Sequence, residues 1–229
     1  MIFSQYFFFI AVAVAVGVGC YLIGAIPISY LLGRFWAKID IRTHGSRNVG
    51  ASNLAVHGGK NIGIIAGVMD CLIKGTFTVL FLDVILGMDP YFLLIASISL
   101  VAGHNWSIFI GLEGGRGIAT AFGLLIGFQM WEEILVLTVF LGIIGRLILY
   151  KDSGVWCFIS FGLLPLLCFA FQEQTHIIIF SVLLGVMLIS KRLMSNGDII
   201  RKGSVKSTLL CRLVFDRDIL SKTSWLERG

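Results

Sequence analysis

Two glycine-rich motifs carry side chains suited to holding a phosphate group. The first, Gly45-Ser46-Arg47-Asn48-Val49-Gly50-Ala51-Ser52-Asn53, lies between two long apolar runs, and the second is Gly114-Gly115-Arg116-Gly117. Glycine lets the backbone turn so that several N–H groups converge on one point. Hydroxyl, amide and guanidinium groups supply further donors for phosphate oxygens. The sequence therefore predicts two anion-binding loops, although interfacial turns that cap helix ends are the alternative.

Within the two motifs, we expect polar side chains and glycine backbone to bind substrate or phosphate. The predicted catalytic side chains are Ser46 and Arg116, and the predicted substrate contacts are Arg47, Asn48 and Asn53. The predicted phosphate-binding backbone sites are Gly45, Gly50, Gly114, Gly115 and Gly117. For the two asparagines, fixing the loop and binding a substrate hydroxyl remain alternative roles.

A pair of opposite charges lies inside an apolar run. Asp70 and Lys74 are four residues apart, which places them on one face of a helix. Isolated charges in a membrane are costly, so the pair is expected to face a polar cavity, either as a structural bridge or with Lys74 touching substrate. His104 and Asn105 precede the second motif. His104 is expected to order that loop or to contact phosphate, or else to be a hydrogen-bonded bundle histidine, and Asn105 is expected to support the site.

The composition indicates an all-α integral membrane protein. The chain is 57% hydrophobic and 14% charged, and its mean hydropathy is +0.94. Apolar runs long enough to approach or cross a bilayer predict about seven helices. These runs are Tyr6–Leu32, Ile62–Leu86, Tyr91–Leu112, Ile118–Met130, Ile134–Leu149, Val155–Phe171 and Ile177–Ser190.

The distribution of basic residues predicts the orientation. With the N-terminus outside and seven crossings, the outer loops contain no Lys or Arg, and both glycine motifs face the cytoplasm. The inner loops contain Arg34, Lys38, Arg42, Arg47, Lys60, Arg116, Arg146 and Lys151, followed by the basic tail from Lys191. A polar segment from Gly33 to Asn61 is expected to be an irregular inner loop at the interface or beside a hydrated cavity.

The chain is expected to comprise a transmembrane domain over 1–190 and a basic cytoplasmic tail over 191–229. In the tail, Val205–Ile219 mixes leucines with basic residues, which predicts either a helix on the membrane surface or a partly disordered extension. The net charge of +5 fits basic inner loops and a basic tail that are attracted to anionic membrane lipids, and no nucleic-acid partner is expected. The five cysteines have no paired spacing, so neither a disulfide framework nor a metal site is expected.

The chain resembles the bacterial glycerol-3-phosphate acyltransferases that use acyl phosphate as donor, the PlsY family. The resemblance rests on the nine-residue motif and on four further stretches. These are Tyr21-Leu22-Ile23-Gly24-Ala25-Ile26-Pro27, Asp40-Ile41-Arg42-Thr43-His44, Gly103-His104-Asn105 and Glu113-Gly114-Gly115-Arg116-Gly117-Ile118-Ala119-Thr120. It implies a seven-helix enzyme of the bacterial cell membrane that moves an acyl chain from acyl phosphate to glycerol 3-phosphate. The products would be lysophosphatidic acid and phosphate, formed without a cofactor.

The resemblance also places functional residues. It puts Ser46, Asn48, Gly50 and Asn53 in the active-site loop, and it puts Arg116 where relatives usually carry lysine. At the end of the last run the family tends to have a histidine and an asparagine, whereas this chain offers Lys191, Arg192 and Asn196 in a shifted register. A family-like lipid-binding or scaffold protein and a carrier for a small organic anion are the alternative functions.

Overall fold

The computed structural model describes residues 2–195, 205–221 and 223–224, and these residues form helices joined by loops. The predicted all-α class is confirmed. The α-helices are α1 (Ile2–Ala25), α2 (Ile28–Leu32), α3 (Ala51–His57), α4 (Lys60–Met69), α5 (Thr78–Leu80), α6 (Pro90–Asn105), α7 (Ile118–Gly127), α8 (Trp131–Val136), α9 (Ser153–Ala170), α10 (Thr175–Met194) and α11 (Val205–Phe215). Wider π-helical turns occupy Gly33–Ala37, Asp70–Phe77, Phe81–Ile85 and Leu137–Leu149, and 3₁₀ turns occupy Ile41–Thr43 and Ile108–Ile110.

Several helices are long and apolar enough to cross a membrane. Among the described residues there are four such helical segments, and two shorter apolar helices accompany them. The long segments are Gln5–Ala37, Lys60–Ile85, Ser153–Ala170 and Thr175–Met194, and the shorter ones are Pro90–Asn105 and Ile118–Gly127. Large apolar side chains such as Phe169 are mostly exposed on their outer faces. Exposure of this kind fits contact with lipid chains.

Glycines allow the central helices to approach backbone to backbone. A Cβ added at Gly24 of α1 would lie 2.1 Å from the Leu100 carbonyl oxygen of α6, and one added at Gly103 would lie 2.1 Å from the Tyr21 oxygen. Helix α6 is therefore held against α1 at the level of His104, which is the next residue after Gly103. Close approach through small residues is a common way for membrane helices to pack.

The π-helical segment Asp70–Phe77 packs closely against α7. The Thr76 hydroxyl donates to the Gly123 carbonyl at 3.0 Å, and a Cβ added at Gly123 would lie 2.0 Å from the Cys71 oxygen. π-Helical turns inside α-helices are often found at functional sites, because they change the direction in which side chains point. Here the wide turns begin at Asp70 and include Lys74.

The expectation of an irregular loop from Gly33 to Asn61 is wrong. The segment contains the 3₁₀ turn Ile41–Thr43 and helix α3. Its apolar side chains Ile41, Val49 and Leu54 are buried in a second hydrophobic cluster at this end of the bundle. These scattered apolar residues give the segment its own core, which the polar motif around them obscured in the sequence.

The first predicted run, Tyr6–Leu32, is interrupted. Helix α1 ends at Ala25 and α2 begins at Ile28, with Pro27 between them at φ −86° and ψ 71°. The Ala25 carbonyl accepts a short hydrogen bond from the Ser107 hydroxyl. Proline disfavours helical geometry in the residue before it, which accounts for a break at this position.

The C-terminal segment packs on the rest of the chain. The Arg212 guanidinium on α11 donates to the Leu193 carbonyl on α10 at 2.9 Å, and Arg217 forms a buried ion pair with Asp152. Leu210 on the opposite side of α11 is exposed. The described part of the tail is thus helical and docked. Its assignment as a separate domain from residue 191 stays a prediction.

Candidate active site

The two glycine motifs meet at one end of the helix bundle. The Val49 backbone N–H donates to the Gly114 carbonyl at 3.3 Å. Arg42, just before the first motif, lies 3.6 Å from Glu113, just before the second. The two motifs are therefore in contact, a relationship that the sequence did not predict.

Asn53 holds the first motif in shape. Its side-chain amide donates to the carbonyls of Ile41 at 3.2 Å, His44 at 3.0 Å and Asn48 at 3.1 Å. Its Oδ1 accepts the Ser46 backbone N–H at 3.3 Å. Asn53 is itself buried, so these bonds replace the water that the loop carbonyls would otherwise need. Of its two predicted roles, Asn53 fills that of fixing the loop.

The two glycines of the first motif differ in conformation. Gly45 has φ +52°, and a Cβ there would lie 2.2 Å from the His57 Nε2 atom. A side chain is therefore excluded both by the backbone and by the imidazole. Gly50 has φ −132° and serves as the residue before helix α3. The prediction of a turn that needs glycine applies to Gly45.

Ser46 is partly buried and Arg47 is exposed in the first motif. The Ser46 hydroxyl accepts the Asn48 backbone N–H at 3.4 Å, and Arg47 is exposed with φ 56°. Neither Ser46 nor Arg47 lines the cavity described below. Their contact with phosphate stays a prediction.

Asp40 and Arg42 stabilise the approach to the first motif. Arg42 donates to the Asp40 carboxylate through Nε at 3.0 Å and through a terminal nitrogen at 2.8 Å. This hydrogen bonding lowers the pKa of Asp40 below its ordinary value. The carboxylate also accepts the Arg42 backbone N–H, so it caps the 3₁₀ turn Ile41–Thr43.

Asp70, Lys74 and His104 form a buried polar cluster. Lys74 Nζ lies 2.8 Å from Asp70 Oδ1 and 3.3 Å from His104 Nδ1, and Asp70 Oδ1 lies 3.6 Å from the same histidine nitrogen. All three residues are at most 7% exposed. The predicted pairing of Asp70 with Lys74 is present, and His104 from α6 joins it. Burying two ions away from water costs free energy, and their mutual attraction offsets that cost only when each ion also makes further hydrogen bonds.

The second motif wraps closely around His104. The Gly115 N–H donates to the His104 carbonyl at 3.0 Å, and a Cβ added at Gly115 would lie 2.0 Å from His104 Nε2. A Cβ at Gly114 would lie 2.4 Å from the carbonyl oxygens of His104 and Asn105. These glycines are required because the loop lies directly on the end of α6.

Asn105 lies beside the turn into α7, and its supporting role stays a prediction. Gly117 has φ +76°, and a Cβ there would lie 2.7 Å from Asn105 Oδ1. Asn105 is fully buried, and its side-chain atoms have no hydrogen-bond partner among the described residues. Its amide is therefore available to a ligand or a water molecule at the start of α7.

Arg116 points away from the polar cluster, toward the C-terminal segment. Its Nε lies 2.8 Å from Asp216 Oδ1, and a terminal nitrogen donates to the Lys191 carbonyl at 2.8 Å. Arg116 is only 7% exposed. Its predicted role as a phosphate ligand remains a proposal, because the side chain already has protein partners in this conformation.

The predicted replacements at the end of α10 have structural contacts. Lys191 lies over the Trp106 ring at 5.6 Å, and Arg192 donates to the carbonyls of Gly154 and Leu213. Asn196 lies outside the described residues.

A cavity connects the break after α1 with the polar cluster and the second motif. It holds about 200 Å³ of empty space, counting the part open to solvent. Its polar lining residues are Ser29, Asp70, Lys74, His104 and Ser107, and Pro27, Val49, Gly114 and Gly115 also line it. The cavity is therefore bounded by both motifs and by the buried charges.

The sequence alone did not identify some residues of the cavity and its surroundings. Ser29 and Ser107 are single serines in apolar surroundings, and Asp216 lies about a hundred residues from Arg116. Only the helix break at Pro27 offered a signal, since a proline inside an apolar run often marks a cavity or a kink.

The family comparison agrees with this architecture. The family model for glycerol-3-phosphate acyltransferase matches residues 14–203. A glycerol-3-phosphate acyltransferase of Dehalococcoides mccartyi is 33% identical over 216 residues, covering 91% of this chain and 90% of the relative. One from Desulforamulus reducens is 32% identical, covering 80% of this chain and 90% of the relative. The chain is a polytopic membrane acyltransferase, and it belongs to the glycerol-3-phosphate acyltransferase family.

A solved structure has the same fold. The crystal structure of PlsY (YgiH), an integral membrane glycerol 3-phosphate acyltransferase in its glycerol 3-phosphate form, superposes with a TM-score of 0.73. That comparison covers 94% of this chain and 98% of the other at 21% identity. The resemblance to the PlsY family stated from the sequence is confirmed. Neither the scaffold nor the carrier alternative is favoured.

Proposed function

We propose that this protein transfers an acyl chain from acyl phosphate to glycerol 3-phosphate, giving lysophosphatidic acid and inorganic phosphate. The observation that carries the proposal is the buried Asp70–Lys74–His104 cluster on a cavity bounded by both glycine motifs. Family membership supplies the acceptor. The acyl phosphate donor follows from the resemblance to the PlsY family. An activated donor of this kind accords with a site whose charged side chains would orient the substrates.

The proposed reaction is a direct transfer. The primary hydroxyl oxygen of glycerol 3-phosphate forms an ester bond with the acyl carbon, and the bond between that carbon and the phosphate oxygen breaks. Phosphate leaves with the bonding electron pair and takes the proton of the hydroxyl. Acyl phosphate is already an activated mixed anhydride, so no acyl-enzyme is required. The protein contributes orientation and electrostatic stabilisation.

Lys74 and His104 are proposed to act at the reacting centre. They line the cavity together, and Asp70 fixes the position of the Lys74 ammonium. A cation held rigidly in a water-poor site stabilises negative charge that develops on the acyl oxygen or on the leaving phosphate. Gly115 places backbone against the His104 ring and so limits its orientation.

The glycine motifs are proposed to bind the phosphate groups. The side chains of Ser46, Asn48 and Arg116 are the candidate donors. For Arg116 to bind phosphate, its guanidinium must contact the phosphate while it keeps its ion pair with Asp216, or must exchange that ion pair for the phosphate. The tight packing of the two motifs against each other supports a shared site for two phosphorylated substrates.

The site is proposed to face the cytoplasm of a bacterial cell, in the cell membrane. Seven crossings, an external N-terminus and a cytoplasmic tail from residue 191 accord with the positive-inside distribution of Lys and Arg. A cytoplasmic site admits water-soluble glycerol 3-phosphate directly. The acyl chain of the donor would enter from the lipid side.

The test uses full-length protein purified in detergent. Phosphate release is followed with acyl phosphate and glycerol 3-phosphate together, with each substrate alone, and with acyl-CoA as the comparison donor. We expect release above background hydrolysis only with both substrates, and lysophosphatidic acid in equal amount. Turnover with acyl-CoA but not with acyl phosphate would refute the donor. Absence of turnover with either donor would refute the activity.

A further inference from the structure

Ser29 is a buried serine whose hydroxyl has no partner. The residue is 1% exposed, and among the described residues its Oγ accepts and donates no hydrogen bond. The same hydroxyl belongs to a residue that lines the cavity beside Lys74 and His104. An unsatisfied buried hydroxyl destabilises a folded protein, so a serine at this position calls for an explanation.

Other helical serines show how such hydroxyls are usually satisfied. Ser97, Ser160 and Ser190 each donate to the carbonyl four residues earlier in their own helix, at distances between 2.7 and 2.8 Å. For Ser29 the corresponding acceptor is the Ala25 carbonyl. That carbonyl accepts the Ser107 hydroxyl, and the Ser29 hydroxyl makes no bond to it across the helix break at Pro27. Ser29 is therefore without the partner that the other helical serines have.

The other polar side chains of the cavity are already engaged. Lys74 pairs with Asp70 and contacts His104, and Ser107 donates to Ala25. Among the described polar residues that line the cavity, Ser29 is thus the one whose side chain makes no hydrogen bond or ion pair. A molecule entering the cavity would find a neutral donor and acceptor there.

The chemistry of serine matches a substrate hydroxyl. Its neutral hydroxyl can donate one hydrogen bond and accept others, as an alcohol can. Phosphate oxygens bind more strongly to charged donors, and Lys74 lines the same cavity. An alcohol group of the substrate is therefore the natural partner for Ser29.

We propose that the Ser29 hydroxyl binds the secondary hydroxyl of glycerol 3-phosphate and thereby positions the primary hydroxyl for acylation. This inference rests on the proposed function. It assigns the secondary hydroxyl because the primary hydroxyl must face the acyl carbon and lose its proton there. A secondary hydroxyl buried without a partner would weaken substrate binding, and Ser29 prevents that loss.

The experiment compares Ser29→Ala with wild type on two acceptors. Glycerol 3-phosphate carries the secondary hydroxyl, and 3-hydroxypropyl phosphate lacks only that group, since it keeps the three-carbon chain, a primary hydroxyl and the phosphate. For Ser29→Ala we expect the KM for glycerol 3-phosphate to rise by about three- to tenfold, the size of one neutral hydrogen bond. The KM for acyl phosphate should not change. With 3-hydroxypropyl phosphate, the variant and wild type should have equal kcat/KM.

Stability provides an independent measurement. Removing an unsatisfied hydroxyl should leave the Tm of the ligand-free protein unchanged or raise it, while the rise in Tm caused by glycerol 3-phosphate should shrink. The matched control is Ser97→Ala, which alters a buried serine that bonds within its own helix and does not line the cavity. Its KM for glycerol 3-phosphate should equal that of wild type.

The outcomes separate the two proposals. If wild type is active and Ser29→Ala has the wild-type KM for glycerol 3-phosphate, the role of Ser29 is refuted while the function stands. Equal losses on both acceptors, or a lower Tm without ligand, would show that Ser29 serves the fold and would also refute it. A wild-type protein that releases no phosphate with either acceptor would refute the proposed function itself.

Discussion

Arg116 Nε lies 2.8 Å from Asp216 Oδ1, so the second glycine motif is tied to the segment after helix α11. The family match ends at residue 203, and this partner of the motif lies beyond it. The pair is largely buried, with exposed side-chain fractions of 7% for Arg116 and 21% for Asp216. Removing either charge leaves the other in a water-poor position, which destabilises the protein.

The pair allows stability and catalysis at Arg116 to be measured separately. We expect Arg116→Ala to reduce phosphate release by about tenfold or more, the scale of one or two charge-assisted hydrogen bonds. Arg116→Lys should recover part of the loss, since the charge returns without the planar fork. Asp216→Ala should lower the Tm as Arg116→Ala does and keep most of the activity.

The double variant Arg116→Ala with Asp216→Ala completes the cycle. It leaves no unpaired charge, so its Tm should exceed that of either single variant, while its activity should stay as low as that of Arg116→Ala. Recovery of activity in the double variant would contradict a direct role for Arg116 in phosphate binding. The same holds if Asp216→Ala is as inactive as Arg116→Ala.

Gly115 offers a second prediction, because it lies directly against His104. In Gly115→Ala the new methyl group would lie 2.0 Å from His104 Nε2, so the imidazole must shift and its contact with Lys74 must change. We expect kcat to fall by about a hundredfold, the order reported for misplacement of reacting groups by an ångström. The measurement is steady-state phosphate release in detergent.

Gly162→Ala is the control for this substitution. Gly162 lies in α9, and a Cβ there meets no atom within 4 Å. Alanine is favoured over glycine inside helices, so this variant should keep wild-type kcat and an equal or higher Tm. If Gly115→Ala also keeps wild-type kcat, the position of His104 does not limit the reaction.

Asn53 gives a third prediction, about the first motif. Asn53→Ala removes the amide that joins the carbonyls of Ile41, His44 and Asn48. The loop should lose its fixed shape, and the variant should be less stable by about 1–3 kcal/mol because buried carbonyls lose their donor. We expect KM to rise for both substrates. Exposed Asn61 supplies the control, and Asn61→Ala should match wild type in KM and Tm.

A rise in KM for one substrate alone would assign the first motif to that substrate. An Asn53→Ala protein with wild-type stability and KM would contradict the role of Asn53 in shaping the site.

The sequence predicted the helical class and the two glycine motifs as special turns, because hydropathy and glycine spacing are local signals. It also predicted the Asp70–Lys74 pair, since four residues bring two side chains onto one helical face. These features depend on short stretches of chain and on the cost of polar groups in lipid.

The sequence did not predict which partners would come from distant segments. The Asp216 carboxylate on Arg116 and the Ser107 hydroxyl on Ala25 depend on how helices dock, and no local pattern encodes that. The π-helical turns from Asp70 were also not predicted, and they coincide with the close packing of Gly75 against Gly123 on another helix. The orphaned hydroxyl of Ser29 is a consequence of the same long-range contacts.

The orientation of the site gives the last prediction. The native cysteines are replaced, and single cysteines are introduced at three exposed positions, Asn61, Asp89 and Gln174. Positively charged loops remain on the cytoplasmic side during insertion, so Asn61→Cys should react with a membrane-impermeant maleimide only after the cells are opened. Asp89→Cys and Gln174→Cys should react in intact cells. Each variant must first show wild-type phosphate release, which establishes that it is folded. Labelling of Asn61→Cys in intact cells would place the glycine motifs outside and would contradict a cytoplasmic site for glycerol 3-phosphate.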